Sequence, residues 1–273
     1  MKNVARISVL ILSAWLAPVT WAQQDLHAHR RLDRRAFLGG ALAASAAGAA
    51  YLAVRPPLRL WPALFEVVAD VRTTTGEQRQ VTVGSAAIEL NTNTSMNLKP
   101  PINGADQVEL VAGEAAFTAS GAASRPVTVL AADGRSMASG AQFNVRYDGE
   151  EVRVTCLEGA VQVSCGADTV SLTAKQQVSY GDGRLGEITE IDPAVVTAWR
   201  QGLLVFRNDP LTRVVDEVNR YRQGRIIVMN SELGRKQIFA SFRLDRLDEV
   251  VTRVQKVFGA RVRTLPGGIV ILS

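Results

Sequence analysis

The sequence predicts three parts in series: a single N-terminal transmembrane helix, an all-β domain of stacked-sheet or sandwich-like form, and a small α+β domain of two β-α-β repeats. Three observations predict them. Residues 37–54 pass without a charge, about the length that spans a bilayer. From 65 to 191, apolar and polar residues alternate between turn signals, as half-buried strands require. From 200 to 273, two helical stripes of apolar residues recur at one spacing, each flanked by short strands.

The run at 37–54 is rich in Ala and Gly and follows Arg34, Arg35, Phe37 and Leu38. Two arginines, a Phe-Leu pair and a weakly hydrophobic segment resemble the twin-arginine export motif. As a plain anchor, the segment obeys the positive-inside rule, because Arg30, Arg31, Arg34 and Arg35 outnumber Arg55 and Arg59 beyond it. Either reading places residues 1–36 in the cytoplasm and the body across the membrane. Residues 1–24 compete with this assignment. Lys2 and Arg6 precede an apolar run, Ile7 to Ala17, and Thr20-Trp21-Ala22 has the small residues of a cleavage site, the pattern of a secretory signal peptide. A signal peptide, an apolar cytoplasmic helix and an atypical start of the reading frame all fit.

The all-β part is read from pairs two residues apart. They are Val81 and Val83, Ile88 and Leu90, Met96 and Leu98, Val108 and Leu110, Val127 and Val129, Phe143 with Val145 and Tyr147, Val152 and Val154, Val161 and Val163, Val170 and Leu172, and Val178 and Tyr180. Asn103-Gly104, Asp133-Gly134, Asp148-Gly149 and Glu158-Gly159 punctuate them. Short strands at this spacing predict a sandwich.

Asp192 and Pro193 then predict a short capped helix. Beyond Trp199, Leu211, Val214, Val215, Val218 and Tyr221 form one helical face, and Leu247, Val250, Val251, Val254 and Val257 repeat it 36 residues on. Asp209 and Asp245 are expected at the two N-caps, with Gly224 and Gly259 at or beyond the two ends. Strands are expected at Leu203–Phe206, Ile226–Val228, Ile238–Phe242, Val262–Leu265 and Ile269–Leu272. An edge strand of such a repeat is able to pair with a partner's strand. Partner binding is therefore assigned to the span Leu203–Ser273, without particular residues.

Composition narrows the function classes. The net charge of +5 is concentrated in the arginines before the apolar segment, with no basic stripe of the kind that binds nucleic acid. The only histidines, His27 and His29, also precede that segment. Histidine triads and His-rich metal sites are thereby excluded from the body. No catalytic residue, metal or cofactor is expected. Cys156 and Cys165 read as two strands of a hairpin turning at Glu158-Gly159. That register separates the thiols by roughly 13 Å, beyond the ~7 Å Cα separation a disulfide tolerates.

Several strings together resemble the FecR family. Before the apolar segment stands Arg34-Arg35-Ala36-Phe37-Leu38, and beyond it Gly76-Glu77-Gln78-Arg79, Leu90-Asn91 and Val111-Ala112-Gly113-Glu114-Ala115-Ala116-Phe117. Arg125-Pro126-Val127, Phe143-Asn144-Val145-Arg146 and Leu157-Glu158-Gly159 follow, then Ala198-Trp199-Arg200-Gln201-Gly202 and Pro210-Leu211 with Glu217 and Asn219-Arg220-Tyr221. The tail is similar to the short N-terminal domain of secretins and TonB-dependent receptors. The resemblance implies an inner-membrane, single-pass regulator. Its cytoplasmic segment would bind an extracytoplasmic-function sigma factor, and its periplasmic body the signalling domain of a TonB-dependent outer-membrane transporter, often in iron-siderophore uptake. The competing expectation is an envelope-assembly protein whose tail binds a secretin-like partner, without sigma-factor control.

Two departures qualify the resemblance. Relatives carry a cytoplasmic domain of several helices before the anchor, where this chain has 36 residues. Self-cleaving relatives use a Gly-Thr pair, where this chain has Gly140-Ala141. Alanine offers no nucleophile, so no self-cleavage is expected.

Overall fold

The computed structural model describes residues 68–119 and 125–273. The expected span at 37–54, the segment 1–36 and the Arg34, Arg35, Phe37, Leu38 motif lie outside the described residues. Among those described, no helix is long and apolar enough to cross a membrane.

Fourteen short strands occupy residues 71–190: β1 Val71–Arg72, β2 Arg79–Val83, β3 Ala86–Leu90, β4 Ser95–Ile102, β5 Ala105–Ala119, β6 Val127–Ala131, β7 Gly134–Ala138, β8 Gln142–Tyr147, β9 Val152–Glu158, β10 Ala160–Cys165, β11 Asp168–Thr173, β12 Gln176–Gly181, β13 Arg184–Leu185 and β14 Thr189–Glu190. They form two faces joined by β5. Its first half pairs with β4 and, in parallel, with β6; its second half pairs with β3 and β8. One face runs β11-β10-β7-β6-β5-β4-β1, the other β2-β3-β5-β8-β9-β12. The alternating residues Ile88, Val108, Val129, Val145, Val154, Val163, Leu172 and Tyr180 fill the space between them. Phe117 and Phe143 stack there at 5.0 Å.

The expected hairpin at Glu158-Gly159 is absent. β9 pairs with β8 and β12, while β10 pairs with β7 and β11. Gly159, at φ +79°, turns the chain from one face to the other, so close to β8 that a Cβ on it would lie 3.0 Å from the Cβ of Ala141. Cys156 and Cys165 are both free and buried, and burial pushes both thiols up. Sequence reading also named no strand pair in β7, and Val108 and Leu110 lie on a strand, β5, that runs on to Ala119.

The chain after 192 forms a second layer with its own core. Asp192 accepts from the N–H of Ala194 at 2.9 Å and caps α1, Pro193–Val196. β15 Leu203–Pro210, α2 Leu211–Asn219 and β16 Arg225–Val228 make one β-α-β unit. After the short helix α3, Ser231–Gly234, come β17 Gln237–Arg243, α4 Glu249–Phe258, β18 Val262–Leu265 and β19 Ile269–Leu272. β15 and β17 form a two-stranded ribbon; β16, β19 and β18 form a sheet in which β16 and β19 are parallel. Leu204, Phe206, Leu211, Val214, Val218, Phe242, Val250, Val254 and Leu272 pack between them.

Three details of the repeat differ from expectation. Asp209 does not cap α2: Pro210 stands at the N-cap, and Asp209 accepts from the N–H of Arg207 at 2.8 Å within a bulge of β15. Asp245 lies in a 3-10 turn, Leu244–Arg246, and pairs with Arg243. That turn delays α4, so Leu247 is buried ahead of the helix rather than within it. Val257 is 71% exposed, whereas its repeat counterpart Tyr221 is 7% exposed. Among the described residues, another layer lies against that position only after the first helix.

The side chain of Asn219 closes the first unit. Its Oδ1 accepts from the N–H of Ile226 at 2.8 Å and its Nδ2 donates to the C=O of Ile226 at 2.9 Å. Asn219→Ala leaves both backbone groups without these partners and is expected to cost about 2 kcal/mol. A lowered urea midpoint with unchanged slope is the check.

Candidate functional site

In the strands β3, β5, β8, β9 and β12, most residues between the core positions are polar, among them Glu89, Glu114, Asn144, Arg146, Thr155 and Gln177, as on a solvated face. Part of that face is covered by the second layer. Ala116, small among polar neighbours, joins the core of that layer, and the polar residues around it meet α2.

Four charges form the centre. Arg220, at the C-terminal end of α2, donates from one guanidinium nitrogen to Glu114 at 2.9 Å and to Glu217 at 2.7 Å. Arg146 donates to the other oxygen of Glu217 at 2.7 Å. Amides complete the carboxylate shell: Asn144 and Asn91 each donate to Glu114 at 3.0 Å. Asn91 also donates to the hydroxyl of Tyr221 at 2.6 Å. The carbonyl of Arg220 accepts from Thr92 Oγ1 at 3.1 Å and Asn93 Nδ2 at 2.7 Å. The loop between β3 and β4 thus supplies donors to a carbonyl that a helix end leaves without an intrahelical partner. At the margin, Arg200 pairs with Glu89, and Gln78 donates to the C=O of Trp199 at 3.0 Å.

Electrostatics follow from this geometry. Burial alone would raise Glu217, but Arg220 and Arg146 overcome it and hold the carboxyl at about 2. Burial likewise opposes the charge on Arg220, and Glu217 and Glu114 override it, so the guanidinium is held more firmly than usual. Burial pushes the Tyr221 hydroxyl up. Two arginines and two glutamates balance, and the arrangement holds the two surfaces together. Beside it, a cleft of about 690 Å³ opens between Arg153, Thr155 and Gln177 on the sheet and Val196, Leu203 and Val205 on the second layer. Among the described residues no group of three or more His, Cys, Asp or Glu is arranged to hold a metal.

The structure places Gly140 exposed at φ +63° and Ala141 buried, its C=O accepting from the N–H of Ala119 at 2.9 Å. Within Leu203–Ser273, sequence reading missed that Glu217, Arg220 and Tyr221 face the sheet. The signal was present in Ala116, a small residue between the polar Glu114 and Thr118 on one strand face, which leaves room for a second layer.

The architecture is thus a β-sandwich with a repeat layer seated on its polar face. Residues 69–162, within the sandwich, match the family model described as FecR protein. No curated protein sequence matches the chain. Two crystal structures of a proposed anti-sigma factor from Parabacteroides distasonis share its fold. One has TM-score 0.63 at 25% identity, covering 74% of this chain and 97% of the other. The second has TM-score 0.63 at 24% identity, covering 74% and 96%.

Proposed function

We propose that this protein is a single-pass inner-membrane regulator of an extracytoplasmic-function sigma factor. Its body, 69–273, stands in the periplasm and receives a signal from the signalling domain of a TonB-dependent outer-membrane transporter, in iron-siderophore uptake. The carrying observation is the FecR domain at 69–162 within a fold shared over most of the chain with a proposed anti-sigma factor. The uncharged run at 37–54, with Arg34, Arg35, Phe37 and Leu38 before it, supports the topology. The second layer, Leu203–Ser273, is the receiving part. Its fixed seat on the FecR sheet lets a load on one layer reach the other. The role is binding rather than catalysis.

Co-expression of the full chain with the sigma factor encoded nearest to it tests the reading. Co-purification of the two, and a change in a sigma-dependent reporter when the chain is deleted, are expected. A sigma factor that neither binds nor responds overturns it. A further expectation concerns Gly140-Ala141: with no hydroxyl at Ala141, the purified chain runs as one band on a denaturing gel. Two fragments split at that bond would contradict this.

A further inference from the structure

Open strand edges are hazards that proteins defend with prolines, bulges, charges or short lengths. Most edges here are defended. β4 carries Lys99, Pro100 and Pro101. β15 has a bulge after Arg207 and ends on Pro210. The Asn219 amide occupies both backbone groups of Ile226 on β16. β13 and β14 are two residues long. β18 has four residues and includes Arg263. β2 opens with Arg79 and β11 with Asp168, and neither exposes a large apolar side chain.

β17 is the exception. It has seven residues, Gln237–Arg243, without proline or an interior charge, and among the described strands it pairs only with β15. Leu244 N–H bonds to Gly202 C=O, so in the alternating antiparallel ladder Phe242 and Ala240 also face β15. The N–H and C=O groups of Phe239, Ser241 and Arg243 then point to the open edge. Phe239 is 81% exposed beside it, while Ile238 and Phe242 are buried beneath.

We propose that this edge is an interface whose occupant is β17 of a second copy of the chain, antiparallel about a twofold axis. An isologous contact needs a self-complementary surface, and β17 provides one. Setting Phe239 of one copy opposite Ser241 of the other puts Gln237 opposite Arg243, so no like charges meet. Arg243 is already neutralised by Asp245 at 2.8 Å. The two Phe239 rings then lie diagonal to each other, within reach of aromatic side chains across a sheet. The two ribbons join into one four-stranded sheet, and each exposed phenylalanine gains a cover. This assignment is independent of the proposed sigma-factor role.

Sedimentation equilibrium of the purified full chain in detergent tests it. A monomer–dimer equilibrium is expected at about 100 μM, where a contact of micromolar strength is populated. Phe239→Arg and Ser241→Pro should each weaken it at least about tenfold, with far-UV circular dichroism unchanged. Phe239 is too exposed for its replacement to unfold the layer, and Ser241 directs its N–H away from β15. A wild-type chain monomeric throughout overturns the proposal, including one that instead takes a strand of another protein on this edge. So does a dimer that both variants keep unchanged.

Discussion

Arg220→Ala is expected to destabilise the contact between the two layers by about 3–5 kcal/mol, the cost of leaving buried charges without their partner. Arg220 neutralises Glu114 and Glu217 at once, and the side chains of these carboxylates are only 5% and 18% exposed. Removing the guanidinium leaves Glu217 with Arg146 alone and Glu114 with two neutral amides. The measurements are urea unfolding and limited proteolysis. The variant should unfold in two steps, the second layer first, with early cleavage after residue 192. Arg213→Ala removes an ion pair whose arginine is 71% exposed, and it should leave the midpoint unchanged because exposed pairs contribute little. Equal effects of the two substitutions would show that the charge cluster does not hold the layers.

The same cluster sets a pH dependence. Glu217 has a folded pKa of about 2, below its ordinary 4.5. Above pH 4.5 it is ionised folded and unfolded, and its stabilisation is fully present. As the pH falls below 4.5 the unfolded chain takes up the proton first, and the contribution drains away towards pH 2. Glu217→Gln should therefore be less stable at neutral pH and show a flatter fall across that window. An unchanged slope between pH 4.5 and 2 would rule out Glu217 as its source.

The sandwich core was legible because its physics is local. Val152, Val154, Val161 and Val163 alternate with polar residues, and alternation is what a strand with one buried face requires. The repeat was legible for the same reason, since the stripes at 211–218 and 250–254 each lie within one helix. What stayed hidden depends on which faces meet. The glycine at 159 signals a turn, but a two-strand hairpin and a crossing between sheets use the same residue. Glu114, Asn144 and Arg146 read as a solvated face, because nothing near them in sequence announces a partner more than seventy residues away at Glu217 and Arg220. Tyr221 and Val257 occupy equivalent repeat positions with opposite exposures, a difference set by tertiary packing alone.

Gly113→Val is expected to abolish folding of the sandwich, with a loss well above about 4 kcal/mol. Gly113 sits in β5 where its pairing passes from β4 and β6 to β3 and β8, and its φ is +96°. Side chains rarely adopt that conformation, and here space forbids one as well. A Cβ would lie 2.5 Å from Thr94 Cα and 2.6 Å from the carbonyl oxygen of Asn93. Both are backbone atoms, so no rotamer change relieves the overlap. The segment that would have to move carries the interface. Thr94 Oγ1 accepts from the N–H of Glu114 at 3.0 Å, and Asn91, Thr92 and Asn93 supply donors to Glu114, Tyr221 and the carbonyl of Arg220. A milder Gly113→Ala chain that still folds should therefore loosen the second layer before the first. Gly104→Ala separates the two causes. It also has positive φ, +77°, but nothing lies within 4 Å of its Cβ position, so only the conformational cost of about 1–2 kcal/mol applies. Soluble yield and thermal melting followed by circular dichroism read both variants. A Gly113→Val chain that melts like Gly104→Ala would mean that the 91–94 segment yields to the added side chain, and that β5 does not depend on the close approach.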